Sequence, residues 1–206
     1  MKNFLSRNGV YFAAAIAVAI AVHAASLVML PHFIMAQTMR KIVGGGAYNV
    51  VHHVSRADEH SRVIVRPSPD MLYSICPFDL SKGALRVQAS VPQGTYWSVA
   101  VFDADTNNIF VENDRQIERA ENLFRSLGKA FQGKPEYEGK VDFVIFRAGS
   151  ASDQLRPPHW IPSPTEKGLV VFRTLINDES RFAEIDKARR KVRCDLEHSL
   201  SYQRTN

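Results

Sequence analysis

Two groups of residues in this chain carry side chains that can do chemistry together. Asp70, Tyr73 and Asp79 fall in one stretch, Arg66-Pro67-Ser68-Pro69-Asp70-Met71-Leu72-Tyr73-Ser74-Ile75-Cys76-Pro77-Phe78-Asp79-Leu80-Ser81. Asp103, Asp105, Asn107 and Asn108 fall in one loop. Two carboxylates held together can divide acid and base work if their surroundings push their pKa values apart. Tyr96 and Trp97 are neighbours, and on a strand one of the two can face a sugar. The same residues have a plainer reading. Asp and Asn are good turn formers, and Asp70 directly after Pro69 is natural in a turn. Ser74 and Ser81 have no identifiable base, and there is no Gly-x-Ser-x-Gly elbow and no phosphate loop. His52 and His53 are adjacent, so on a strand they point to opposite faces and cannot easily share one metal ion. Neither a metal nor a cofactor is expected.

Cys76 and Cys194 are the only cysteines. Two readings stand open. In an oxidising compartment they can form a disulfide tying the Arg66–Ser81 stretch to the last helix across a long loop, worth roughly 2–4 kcal/mol. Alternatively they are two buried free thiols. Cys194 has basic neighbours but no placeable histidine partner, so neither is expected to act as a nucleophile.

A sheet is needed to hold these groups. The two prolines at 67 and 69 stiffen the chain into an extended approach. Met71 to Ile75 then reads as a buried strand, with Pro77 ending it or placing it on a sheet edge. Asp79 to Gly83 reads as a turn. Arg86, Gln88 and Ser90 alternate with Leu85, Val87, Ala89 and Val91, a period of two that predicts a strand with one wet face. Tyr96 to Phe102 is a more apolar strand, and Ile109 to Val111 another. Arg62 to Val65 is a further short strand. Such close spacing predicts an antiparallel meander. Asp114 to Lys129 switches to helical spacing through Ile117, Ala120, Phe124 and Leu127. Val141 to Phe146 returns to strand. Ala148 to Pro164 reads as a long proline-rich loop pinned by Trp160, and Gly168 to Ile176 as the last strand. A final helix starts at Asn177, with Phe182, Ile185, Val192 and Leu196 as its apolar stripe and Lys187 to Arg193 as a basic run. That run is either a solvated face or a surface for anionic partners.

The chain has 206 residues, 45% of them hydrophobic and 23% charged, which fits a folded domain with an appendage. The net charge of +5 permits contact with anionic partners. No zinc-finger spacing, RNA-binding signature or basic strip interleaved with aromatics is present, so nucleic acid is not an expected partner. Val10 to Leu30 carries no formal charge apart from a proton that His23 could take. As a helix it is long enough to cross a bilayer core of ~30 Å. Lys2 and Arg7 precede it, which favours the amino terminus in the cytoplasm. A cleaved signal peptide, with Val22-His23-Ala24 before the cut, is the competing reading; the span is longer than an ordinary signal core. His23 is read as a neutral imidazole bonding to a neighbouring helix or to water. The expected organisation is a cytoplasmic tail over 1–9, a transmembrane helix over 10–31, and a linker helix with the Gly44-Gly45-Gly46 joint over 32–47. A β-rich body over 48–200 and a tail over 201–206 complete it. The fold class is α+β, mainly β: one N-terminal span, an antiparallel β-sandwich-like body and a C-terminal amphipathic helix.

Three blocks carry a family resemblance: Arg66 to Ser81; Tyr96-Trp97-Ser98 with Asp103, Thr106 and Asn107; and Pro162-Ser163-Pro164-Thr165 followed by Arg173 and the last helix. Together they resemble the bacterial family of domains of unknown function called DUF1254, over about Tyr48 to Leu200. The resemblance implies a β-rich domain that often occurs beside a second domain, fused or separately encoded, and so implies a separately encoded partner here. It carries over no activity. The expected function is a non-enzymatic, membrane-anchored envelope protein of the bacterial inner membrane, with its body in the periplasm. The alternative is an enzyme or binder acting on an envelope carbohydrate or lipid. Asp70, Tyr73, Asp79, Tyr96, Trp97, Asp103 and Asn107 are the candidate binding residues.

Overall fold

The computed structural model describes residues 2–61, 67–116, 119, 140–150 and 159–197. The expected strand at 62–65 and most of the expected helix at 114–129 lie outside them.

The chain begins with one continuous helix, α1 (Lys2–Val43), which runs through Pro31. The sequence reading stopped the apolar helix at that proline. A proline costs a helix one hydrogen bond and crowds the preceding turn, yet the helix resumes because its far end is packed. Met35 and Met39 are buried against Leu169, with Ile42, Ile75, Phe102 and Val171 around them. Burying each methionine contributes about 1.5–3 kcal/mol, enough to offset one lost bond. The three glycines therefore follow the docked helix. They do not separate it from the body.

Among the described residues the body consists of a five-stranded sheet, order β1-β2-β8-β4-β5, and a four-stranded sheet, order β7-β6-β3-β9. The first contains β1 (His52–His53), β2 (Met71–Asp79), β4 (Trp97–Asp103), β5 (Asn108–Asn113) and β8 (Lys167–Leu175). The second contains β3 (Leu85–Ser90), β6 (Lys140–Arg147), β7 (Trp160–Ser163) and β9 (Arg193–Leu196). All pairings are antiparallel except β6 with β7. The fold is thus α+β and mainly β, and its core lies between the sheets, built on Phe78, Leu85, Val87, Val99, Val101, Phe143, Ile145, Val170 and Phe172.

The meander is not formed. Among the described residues β4 and β5 make a close hairpin and β1 pairs with β2 across a longer connection; β2 and β3 are joined by a short 3-10 turn (Leu80–Lys82) that carries the chain from one sheet to the other. Alternation of apolar residues is the same for both arrangements, so periodicity could not separate them. β8 enters between β2 and β4 and pairs with both along its length. Pro77 does not end β2. Its carbonyl accepts from Asn49 N at 2.8 Å on the outer side of the strand, so the N–H it lacks also faces away from β8.

Two further expectations change. The proline-rich loop contains β7, an edge strand where Pro162 is tolerated. Trp160 anchors it, its ring 5.7 Å from that of Phe146. The last helix is shorter than expected. A 3-10 turn (Glu179–Arg181) capped by Asp178, not Asn177, leads into α2 (Phe182–Arg189). The chain then becomes β9, paired antiparallel with β3. Val192 and Cys194 are buried while Arg193 and Asp195 are exposed; that period of two was in the sequence, masked by the preceding run of cations.

Candidate functional site

The structure does not bring the sequence-derived residues into one site. Asp70 is exposed before β2 and Asp79 is its last residue, so the nine-residue strand separates them by roughly 30 Å. Asp103 lies on β4, in register with Gly168, which in turn pairs with Phe78. It therefore shares the inner face with Phe78, while Asp79 is on the outer face, with β8 between the two strands. Asp103 is fully buried and holds its own turn: it accepts from Asp105 N at 2.8 Å, Asn107 N at 2.8 Å and Asn107 Nδ2 at 2.9 Å. Thr106 in that turn has a φ of 67°, a conformation the three bonds help to enforce. Trp97 is buried in the core between the sheets and does not face solvent. Tyr96 is exposed at the start of β4 and its carbonyl accepts from Leu175 N. Tyr73 is half-buried, its hydroxyl near Ser68 N at 3.4 Å.

One end of the body does gather several of these groups, and it is the end that meets α1. Asp79 accepts from Ser81 N at 2.9 Å and pairs with Lys167 Nζ at 3.3 Å. Burial opposes ionisation of Asp79, but the Ser81 bonds and the Lys167 charge outweigh it and lower its pKa. Lys167 Nζ lies 4.9 Å above the Tyr48 ring. Asn49, at a φ of 63°, closes the free edge of β2: Asp79 N donates to its Oδ1 at 2.8 Å and its Nδ2 donates to Asp79 O at 3.0 Å. Next to them the 103–107 turn reaches the helix. His32 pairs with Asp105, and Thr106 borders a shallow apolar notch with Leu27, Leu30, Pro31 and Ile34. Sequence reasoning missed His32, Asn49 and Lys167, because each acts through a partner distant in the chain.

A second polar group joins α2 to the five-stranded sheet. Arg189 is buried, with 4% of its surface exposed. It donates to Val54 O at 2.9 Å and Tyr73 O at 2.7 Å, and pairs with Asp186. Beside it His53 Nδ1 meets Ser74 Oγ at 2.9 Å. A serine and a histidine at this distance suggest a nucleophile and its base, but Ser74 is fully buried. Burial, then the nearby Arg189 and Arg190 charges, push the His53 pKa down, so the ring is held neutral as a packing and hydrogen-bonding group. Burial opposes ionisation of Asp186 too, and the bonds from Arg190 and Arg189 overcome it, lowering its pKa.

Both shifts have the same consequence for stability. The unfolded chain binds a proton at histidine below about pH 6.5, where folded His53 resists it, so stability falls as pH drops from there towards the folded value. Asp186 contributes stability that is present above about pH 3.9 and is lost as pH falls through its lower folded pKa. His53→Gln should therefore lose part of the decline between pH 7.5 and 5.5. Urea midpoints at the two pH values measure it, and an equal decline in both proteins would show that His53 carries none of it.

Cys76 and Cys194 lie in the same core cluster on facing strands. Both are free thiols in this structure. Cys194 sits on a strand, not on the last helix as the sequence reading had it. Burial, then a hydrogen bond that the Cys194 thiol donates to Cys76, raises the Cys194 pKa well above its ordinary value.

A family model described as "Protein of unknown function (DUF1254)" matches residues 48–196. The chain belongs to the DUF1254 family. That match starts after α1 and covers the body through β9. No curated protein matches the chain. Among solved structures, the VPA0106 protein of Vibrio parahaemolyticus superposes with a TM-score of 0.58 at 8% identity, over 84% of this chain and 37% of that one. A putative uncharacterized protein from Burkholderia cenocepacia gives a TM-score of 0.43 at 13% identity, over 77% of this chain and 38% of that one. The first likeness shows a shared fold. This DUF1254 chain spans well under half the length of the solved proteins it matches.

Proposed function

We propose that this DUF1254 protein is a single-pass inner-membrane protein whose β-rich body stands on the periplasmic side and docks a separately encoded envelope protein, without catalysing a reaction itself. One observation carries the reading. α1 is long and apolar enough to cross a membrane and its most apolar window is wholly uncovered, yet its last turns are buried against β2 and β8. A single helix is thus both the apolar span and part of the folded body, so the body would be held in a set attitude to the bilayer. Lys2 and Arg7 before the span support the orientation. The partner is carried over from the family resemblance, which implies a second domain beside this one. Asp79, Asp103 and Asn107 are engaged in strand-end and turn bonds, which gives them a part in holding the fold and lends no support to acid–base work. The alternative, action on an envelope carbohydrate or lipid, has an exposed ring at Tyr96 to support it, but Asp79 shares no face with Asp103 and Asp70 stands before the start of β2, a strand's length away.

The test is a phosphatase fused to the carboxyl terminus, together with cross-linking in intact cells and detergent extraction. The fusion should be active, the chain should stay in the membrane fraction at full length, and one envelope protein should be linked to the body. An inactive fusion would overturn the periplasmic orientation, and a soluble mature chain beginning near Ala25 would overturn the anchor. Absence of any stoichiometric linked protein would overturn the partner.

A further inference from the structure

The two cysteines occupy a place where a covalent bond would join the two sheets directly. Cys76 is on β2, in the five-stranded sheet, and Cys194 is on β9, in the four-stranded sheet. Both side chains point into the shared core, at 2% and 5% exposure, and both pack in one cluster with Phe78, Val87 and Phe172. Sheets in a sandwich are held to each other mainly by the interdigitated side chains of their inner faces. β9 is short, and its pairing with β3 spans only Leu85 to Gln88.

We propose that Cys76 and Cys194 are a disulfide pair, closed in the working protein to staple the two sheets together. The proposal rests on the periplasmic reading only for the source of the oxidant. That oxidant is a disulfide, either of a thiol-oxidising protein or of a small dithiol. One cysteine, as its thiolate, attacks a sulfur of the oxidant; a mixed disulfide forms and the first oxidant thiol leaves. The second cysteine, also as its thiolate, attacks the cysteine sulfur of the mixed disulfide; the Cys76–Cys194 bond forms and the second oxidant thiol leaves. The two cysteine protons end on the two released thiols, and two electrons pass from the cysteine sulfurs to the oxidant.

Burial sets the order of events. A thiol enclosed in an apolar core stays protonated and cannot attack. Oxidation therefore takes place before β9 docks on β3, while both sulfurs meet water. Once the core is closed the bond is shielded from exchange. The pair is accordingly a permanent staple and not a switch.

The full chain in detergent tests this. It is unfolded under reducing conditions, then refolded in oxidised and reduced glutathione. The intact mass should fall by two hydrogens, a Cys76–Cys194 linked peptide should appear, and neither sulfur should take an alkylating agent until reduction. Thermal unfolding should occur roughly 5–15 °C higher than for protein refolded with reductant. The single variant Cys194→Ser should show neither the linked peptide nor this gap. Two alkylatable thiols after oxidative refolding, or a glutathione adduct on each, would overturn the pairing. Protein taken from cells with both thiols free would overturn the staple in the working protein, and an active carboxyl-terminal phosphatase fusion in the same cells would leave the periplasmic placement standing.

Discussion

Gly168→Ala is expected to destabilise the body by about 3 kcal/mol or more. Gly168 is on β8, the strand shared by β2 and β4, with Phe78 on one side and Asp103 on the other. A Cβ there would lie 2.2 Å from the carbonyl oxygen of Phe102 and 2.4 Å from Cζ of Phe78. Phe78 is fully buried, so its ring has nowhere to swing, and the Phe102 oxygen is backbone. One methyl group must therefore push β4 away from β8 or displace the ring into the facing sheet. Thermal unfolding in detergent should fall by roughly 6–12 °C. Adding Phe78→Leu removes the ring contact but not the carbonyl contact, so it should restore only part of the loss. A Gly168→Ala protein that melts within a degree or two of the parent would show that the strands separate easily, and would contradict the close packing on which the fold argument depends.

Arg189→Met should cost about 3–5 kcal/mol. The substitution keeps much of the side-chain bulk but removes the fork that reaches Val54 O, Tyr73 O and Asp186 at once. Val54 O then loses this donor, Tyr73 O keeps only Val54 N, and Asp186 keeps only Arg190, at its other oxygen. Lysine cannot replace the fork, because one ammonium does not span three acceptors in this planar arrangement. Arg189→Lys should therefore recover less than half of the loss. Arg190→Met is the control. Arg190 is exposed and touches only the same carboxylate, and exposed pairs contribute little. Equal urea midpoints for Arg189→Met and Arg190→Met would show that burial of the guanidinium is not what holds α2 to the sheet.

These two residues mark different limits of the sequence. Gly168 is one small residue opening an apolar run, and nothing local says that two strands and a phenylalanine converge on it. Arg189 sits in a run of cations that reads as a wet helix face, and one of its members is buried because α2 ends early and turns back into β9. The period-two burial of Val192 and Cys194 was readable. It was overridden by extending the helix through residues that favour it only by charge. By contrast, the wet and dry faces of β3 follow directly from Leu85, Val87 and Ala89 against Arg86 and Gln88, because a strand's side chains must alternate.

What the amino-acid order determined by itself is whatever depends on near neighbours. That includes the apolar span of α1, the strand character of β2 to β6 and β8, the turn at Asp103 to Asn107, and the opposite facing of His52 and His53. The tertiary structure alone decided which strands lie side by side, that α1 continues through Pro31 to cover the outer face of β2 and β8, that Asp79 and Asp103 stand back to back, and that Cys76 meets Cys194. The physical reason is the range of the forces involved. Backbone geometry and side-chain alternation act over a few residues. Partner choice across a sandwich is settled by the fit of whole faces brought together from distant parts of the chain.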